Sequence, residues 1–222
     1  NKPNDKLKFR FRLEAGSPGV ASKKGKIEPF AKDAYLQWTP GGDGASILLG
    51  LSGTPSFMGV ESAWGYRHVE KTPADLYKLS GTRESGIGIK GELNSRLKYH
   101  VMVGNGNGTS SEDNKGKKYM GALGLSLTDD ISLSGHFDFD DQKGPATFMT
   151  AQAVLSQKTS SYRWGLHFAL NDRHYMDKAA LEENQKAALG LEKELTDEEI
   201  KGALALVPLP YADSSLNLIS AY

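Results

Sequence analysis

The first residues able to do chemistry are cations set two apart. Lys6, Lys8, Arg10 and Arg12 alternate with Leu7, Phe9, Phe11 and Leu13, and Glu14 closes the run. A period of two places the charges on one face of a strand and the apolar side chains on the other; a helix would scatter both. Such a ladder offers electrostatics rather than covalent chemistry. Ammonium and guanidinium groups attract oxyanions, and arginine can grip a phosphate or carboxylate with two parallel hydrogen bonds. Arg96, Lys98 and His100 make a second polar face on 96–103, and Arg163 stands on that of 161–170. Trp64, Tyr66, Arg67, His68, Glu70 and Lys71 crowd into the connection 54–80, which is too long for a simple turn.

Covalent and metal chemistry find less. His100, His136 and His167 share polar faces with Asp138, but their strands are separated by intervening ones, so no metal site is expected. Asp138 and Asp140 lack the rest of a calcium loop. Gly104–Gly108 reads GNGNG without the Gly-Lys-Ser/Thr and helix of a phosphate loop, and is expected to be an exposed, flexible connection. There is no GxSxG, no HExxH and no nucleophile–base set, so neither an enzyme nor a cofactor is expected. With 27 basic and 27 acidic residues the net charge is zero, which gives no reason to bind nucleic acid. With no cysteine, disulfides and thiolate sites are excluded.

Alternation also identifies the elements that position these residues. It is strict at 6–14, 96–103, 131–140 and 161–170, and weaker at about 32–39, 45–52, 84–93, 119–128 and 147–156. These nine segments form a single domain over 1–222. Short turns, as at Asp129-Asp130, contrast with long connections at 16–26, 54–80 and 104–118, and that contrast is characteristic of outer-membrane barrels. Residues 176–206 read as an inserted helical loop element. Leu216, Leu218 and Tyr222 loosely imitate a barrel's last strand. Strand length suits a tilted bilayer crossing. Tyr35, Trp38, Tyr119, Tyr162 and Trp164 near strand ends suit its two interfaces, and Gly86, Gly88, Ala122, Gly124 and Ser126 would leave room inside. The fold expected is all-β, an antiparallel transmembrane β-barrel with nine or ten strands in view. A soluble antiparallel β protein is the plainer alternative.

Within 53–79, Thr54-Pro55, Glu61, Trp64-Gly65-Tyr66-Arg67 and Val69-Glu70-Lys71-Thr72, followed by Ser85–Gly91 and by Lys98-Tyr99-His100 through Gly108, resemble Gram-negative outer-membrane porins of the phosphate-selective type. The similarity spans roughly 6–175, and the helical insert departs from it. The resemblance implies a water-filled pore in outer-membrane lipid, monomeric or homotrimeric. It also implies that this chain is part of a longer barrel. The solutes would be small and hydrophilic, with a lean towards anions such as phosphate. Lys8, Arg10, Arg12, Arg96, Lys98, His100 and Arg163 would line the pore, and Trp64, Tyr66, Arg67, His68, Glu70 and Lys71 would form a constriction loop. A second reading is a structural barrel that binds another envelope component through the helical insert. A third is a soluble sandwich that binds carbohydrate.

Overall fold

The computed structural model describes residues 6–15, 29–41, 44–112, 115–141, 146–175 and 214–221. Ten strands form one antiparallel sheet: β1 Leu7–Ala15, β2 Pro29–Trp38, β3 Ser46–Gly53, β4 Arg83–Asn94, β5 Leu97–Gly104, β6 Lys117–Ser126, β7 Ile131–Asp141, β8 Ala146–Lys158, β9 Arg163–Tyr175 and β10 Ser214–Ala221. Each pairs with the next in sequence. The all-β expectation holds, and the nine alternating segments coincide with β1 to β9. One expectation is corrected. The meander ends on β1 and β10 without joining them, so among the described residues the sheet is open and not a closed barrel. Hairpin registers specify neighbours only, and nothing in them ties the two outer strands together. The helical element expected at 176–206 lies outside the described residues.

Connections at one end of the sheet are longer than those at the other, with 142–145 the exception. The turns at 39–45, 95–96, 127–130 and 159–162 lie at one end of the sheet, and the connections 16–28, 54–82, 105–116, 142–145 and 176–213 at the other. Side chains close three of the short turns. Asn94 Oδ1 accepts from the amides of Arg96 and Leu97, Thr128 Oγ1 from those of Asp130 and Ile131, and Thr159 Oγ1 from those of Ser161 and Tyr162. Asn and Thr side chains favour turns because they satisfy backbone donors that the ladder cannot.

The sheet's two faces are inverted relative to a water-soluble protein. Leu7, Phe9, Phe11 and Leu13 on β1, Ile87 and Ile89 on β4, Val101 and Val103 on β5, and Phe137 and Phe139 on β7 are exposed, Phe9 to 72%. On the other face His100, His136, Asp138, Asp140, Thr150, Gln152, His167 and Asn171 are buried. Burying polar groups while exposing large apolar ones runs against transfer free energy in water. Trp38, Tyr119, Tyr162 and Trp164 are exposed near strand ends, as expected. Tyr35 is a second correction. It pairs across from Arg10 and shares that residue's inner face, because the pleat alternates and Asp33 and Gln37 point the same way.

The inner face is covered in part by the connection between β3 and β4. It carries a 3-10 turn, Pro55–Phe57, and two short helices, α1 Val60–Trp64 and α2 Pro73–Leu76. Pro55 and Pro73 open the first and last of these, Gly65 ends α1 in the left-handed region, and Thr72 caps α2 by accepting from the Asp75 amide. Thr54 closes the neck. Its hydroxyl donates to the Gly81 carbonyl at 2.6 Å and its amide to that of Thr82. The connection leaves the sheet between neighbouring strands yet lies on the inner face of β5 to β9. Ala74 and Leu79 pack there against Ala169 of β9, with Phe57 alongside.

Candidate functional site

The inner face divides into a half covered by residues 54–82 and a half left open. Over β6 to β9 a buried polar network fixes the connection. Ser56 Oγ lies 2.6 Å from Ser80 Oγ and 3.1 Å from His136 Nε2, and Ser80 donates to Asp138 Oδ2 at 2.8 Å. Lys118 Nζ stands 3.6 Å from the same carboxylate. Thr150 Oγ1 and Asn171 Nδ2 both donate to the Leu79 carbonyl. Gln152 links the neighbouring imidazoles, its Nε2 facing His136 Nδ1 and its Oε1 accepting from His167 Nε2. Donation by the Gln152 amide places the His136 proton on Nε2, the atom that faces Ser56. Ser56, His136 and Asp138 are not a catalytic array. Ser56 is 0% exposed, and Asp138 approaches the same imidazole nitrogen that faces the serine, at 3.6 Å, so it cannot orient the ring as a triad aspartate does. No group of three His, Asp or Glu able to hold a metal occurs among the described residues.

Over β1 to β5 the face borders a cavity of about 690 Å³. Its lining holds five cations, Lys8, Arg10, Arg83, Lys90 and Lys98, against two carboxylates, Asp33 and Glu92, a net of +3. Asp33, 3% exposed, gathers three guanidinium groups: Arg10 Nε at 3.0 Å, Arg12 Nε at 2.9 Å and Arg83 Nε at 2.6 Å. Register explains the convergence. Arg12 stands directly across from Asp33, Arg10 lies one inward position along β1, and Arg83 starts β4 two strands away. Arg12 Nε is close but not aligned as a hydrogen bond, so Asp33 falls short of satisfying all three. Lys98 pairs with Glu92 at 2.9 Å. His100 is buried beside Lys90, and its Nε2 reaches no hydrogen-bond partner.

The sequence-derived candidates therefore separate. Lys8, Arg10, Lys98 and His100 line the cavity, and Arg12 joins through Asp33. Arg96 does not stand on the wall. It lies in the β4–β5 turn, one residue before β5 begins, and its guanidinium donates to the Leu127 carbonyl. Arg163 starts β9 and serves the connection 54–82. It stacks over the Tyr66 ring at 5.8 Å and donates to the Ser62 carbonyl. The residues expected to constrict a pore form a knot around Arg163 at the short-turn end. Trp64 meets Tyr66 edge-to-face and donates from Nε1 to the Glu70 carbonyl, Arg67 pairs with Asp75 and Glu61, and the Glu70 side chain accepts from the Lys71 amide. His68 is exposed beside them. The residues of this connection that border the cavity are Thr54, Phe57 and Met58. Sequence spacing drew attention to rings and charges, whereas apolar Phe57 and Met58 carried no such signal. Asp33 lies on the inward side of the 32–39 pattern, and only the β1–β2 register sets it among the arginines.

Glu84 corrects the reading of GNGNG. Its buried carboxylate accepts from the amides of Ser85, Gly106 and Gly108, which ties that connection down onto β4. Gly106 and Gly108 adopt positive φ of 93° and 61°, conformations that glycine reaches without strain. In comparisons with protein families, with curated proteins and with solved structures, nothing matches this chain.

Proposed function

We propose that this chain forms the wall of an outer-membrane channel of Gram-negative type, through which small hydrophilic solutes diffuse passively, with a lean towards anions. The observation that carries the reading is the inverted sheet: apolar side chains exposed along the strands, polar ones buried between them. Hydrocarbon solvates the first set, and a hydrated interior the second. Short turns at one end and, apart from 142–145, long connections at the other accord with it, as do exposed aromatic residues near the strand ends. The reading requires the edges of β1 and β10 to be covered, by each other or by further strands, because lipid leaves no unpaired backbone. Passage would follow the basic half of the inner face, since residues 54–82 occupy the other half.

Two measurements test this. The protein refolded into detergent should run differently on a gel before and after boiling, and in planar bilayers it should give steady conductance with a reversal potential displaced towards anions under a salt gradient. Good solubility in plain buffer without a heat shift would overturn the reading in favour of a soluble β protein. A heat shift without conductance would favour the structural barrel, with residues 54–82 as its filling.

A further inference from the structure

The cavity over β1 to β5 is not lined by charge alone. Arg10 and Arg83 stand at its Asp33 cluster and Lys90 on β4, while Leu48 of β3 and Phe57 and Met58 of the inner connection supply apolar surface. At about 690 Å³ it falls in the usual range of small-molecule sites, roughly 300–1,000 Å³. Cations and apolar side chains recognise different parts of a ligand. A hydrated inorganic oxyanion would gain from the cations but lose water against Leu48, Phe57 and Met58 with nothing to replace it. An anion with an apolar body satisfies both. Asp33 engages Arg10 through Nε, and the Arg10 side chain remains 53% exposed, so its guanidinium can meet a second carboxylate.

We propose that this cavity is a binding site for amphiphilic organic anions, a carboxylate on an aromatic or aliphatic body, and that it prefers them to inorganic oxyanions. The proposal rests on the channel reading above and names its solute class. The carboxylate sits at Arg10, Arg83 and Lys90, and the body lies between Leu48 on the wall and Phe57 and Met58 on the connection.

The test uses the full chain in planar bilayers in potassium chloride, with benzoate, acetate and inorganic phosphate as probes. Benzoate should reduce the open current at a roughly tenfold lower concentration than acetate or phosphate, the fold-change expected from burying about two methylene-sized groups. Met58→Gln should bring benzoate's half-blocking concentration up to that of acetate and leave phosphate unchanged, whereas Arg10→Gln should weaken block by all three. If Met58→Gln loses its heat-dependent gel shift, Leu48→Asn makes the same test from the wall side. Steady conductance with equal block by benzoate, acetate and phosphate overturns the proposal and leaves the channel reading standing. Absence of conductance overturns the channel reading, and the proposal with it.

Discussion

Asp33 is the residue on which the basic half depends. A single carboxylate holds three guanidinium groups that would otherwise repel one another, and it does so at the border of the cavity. Replacing it changes charge and position together. A unit charge about 4 Å from a passing ion is worth about 1 kcal/mol in water, roughly a fivefold change in local occupancy. Asp33→Asn should therefore move the reversal potential in a salt gradient further towards anions, and Arg83→Gln should move it back. A potential unchanged by both substitutions would place the passage elsewhere. Neighbouring Glu14 and Lys32 form a further ion pair on the same hairpin, further from the cavity lining.

The connection 54–82 is an element whose position is fixed by hydrogen bonds rather than by a large apolar core. Ala74, Leu79, Ala169 and Phe57 make a small cluster, while Ser56, Ser80, His136, Asp138, Thr150 and Asn171 make the buried polar seam around it. Buried donors and acceptors are costly to leave unpaired, about 1–3 kcal/mol each. Ser56→Ala removes the partner of both Ser80 and His136, so it should weaken docking by that order. The expected outcome is faster trypsin cleavage at Arg67, Lys71 or Lys78 in the refolded protein, with noisier open current if the channel reading holds. Cleavage at the wild-type rate would show that the apolar cluster alone holds the element. Gly65 serves the same element differently: its left-handed backbone lets the chain turn where a Cβ would occupy the position of the Arg163 guanidinium, 1.1 Å from Nη1.

For the whole molecule, the question is which solvent meets the apolar face. Leu123 stands in the middle of β6, exposed, with Tyr99 and Gly135 as its cross-strand neighbours. Against lipid, Leu123→Lys should cost about 2–4 kcal/mol near the bilayer midplane. Against water, the same substitution should fall within about 0.5 kcal/mol of neutral. Urea titration of the protein folded into phospholipid vesicles distinguishes the two, and a neutral result would remove the membrane from the account. The open edges of β1 and β10 bear on the same question, since a lipid-facing sheet must pair them and a soluble one can leave them wet.

Period-two alternation located nine strands and assigned Lys8, Arg10, Lys98 and His100 to one face, because side-chain direction in a strand is a local consequence of the pleat. The turn at Asp129-Asp130 was legible for the same reason, since the Thr128 hydrogen bonds that close it reach only two or three residues along the chain. Alternation also marked Tyr35 as apolar and outward, and only its register opposite Arg10 turned it inward. The tertiary structure alone brought Ser56 to His136, 80 residues away, Arg83 to Asp33, and Phe57 and Met58 to the cavity. Those contacts depend on where a 29-residue connection lies across the sheet, and no local period encodes that. The alternating sequence by itself set two unlike faces; the fold decided which of them was buried, because burial belongs to the whole sheet and to the segment that covers it.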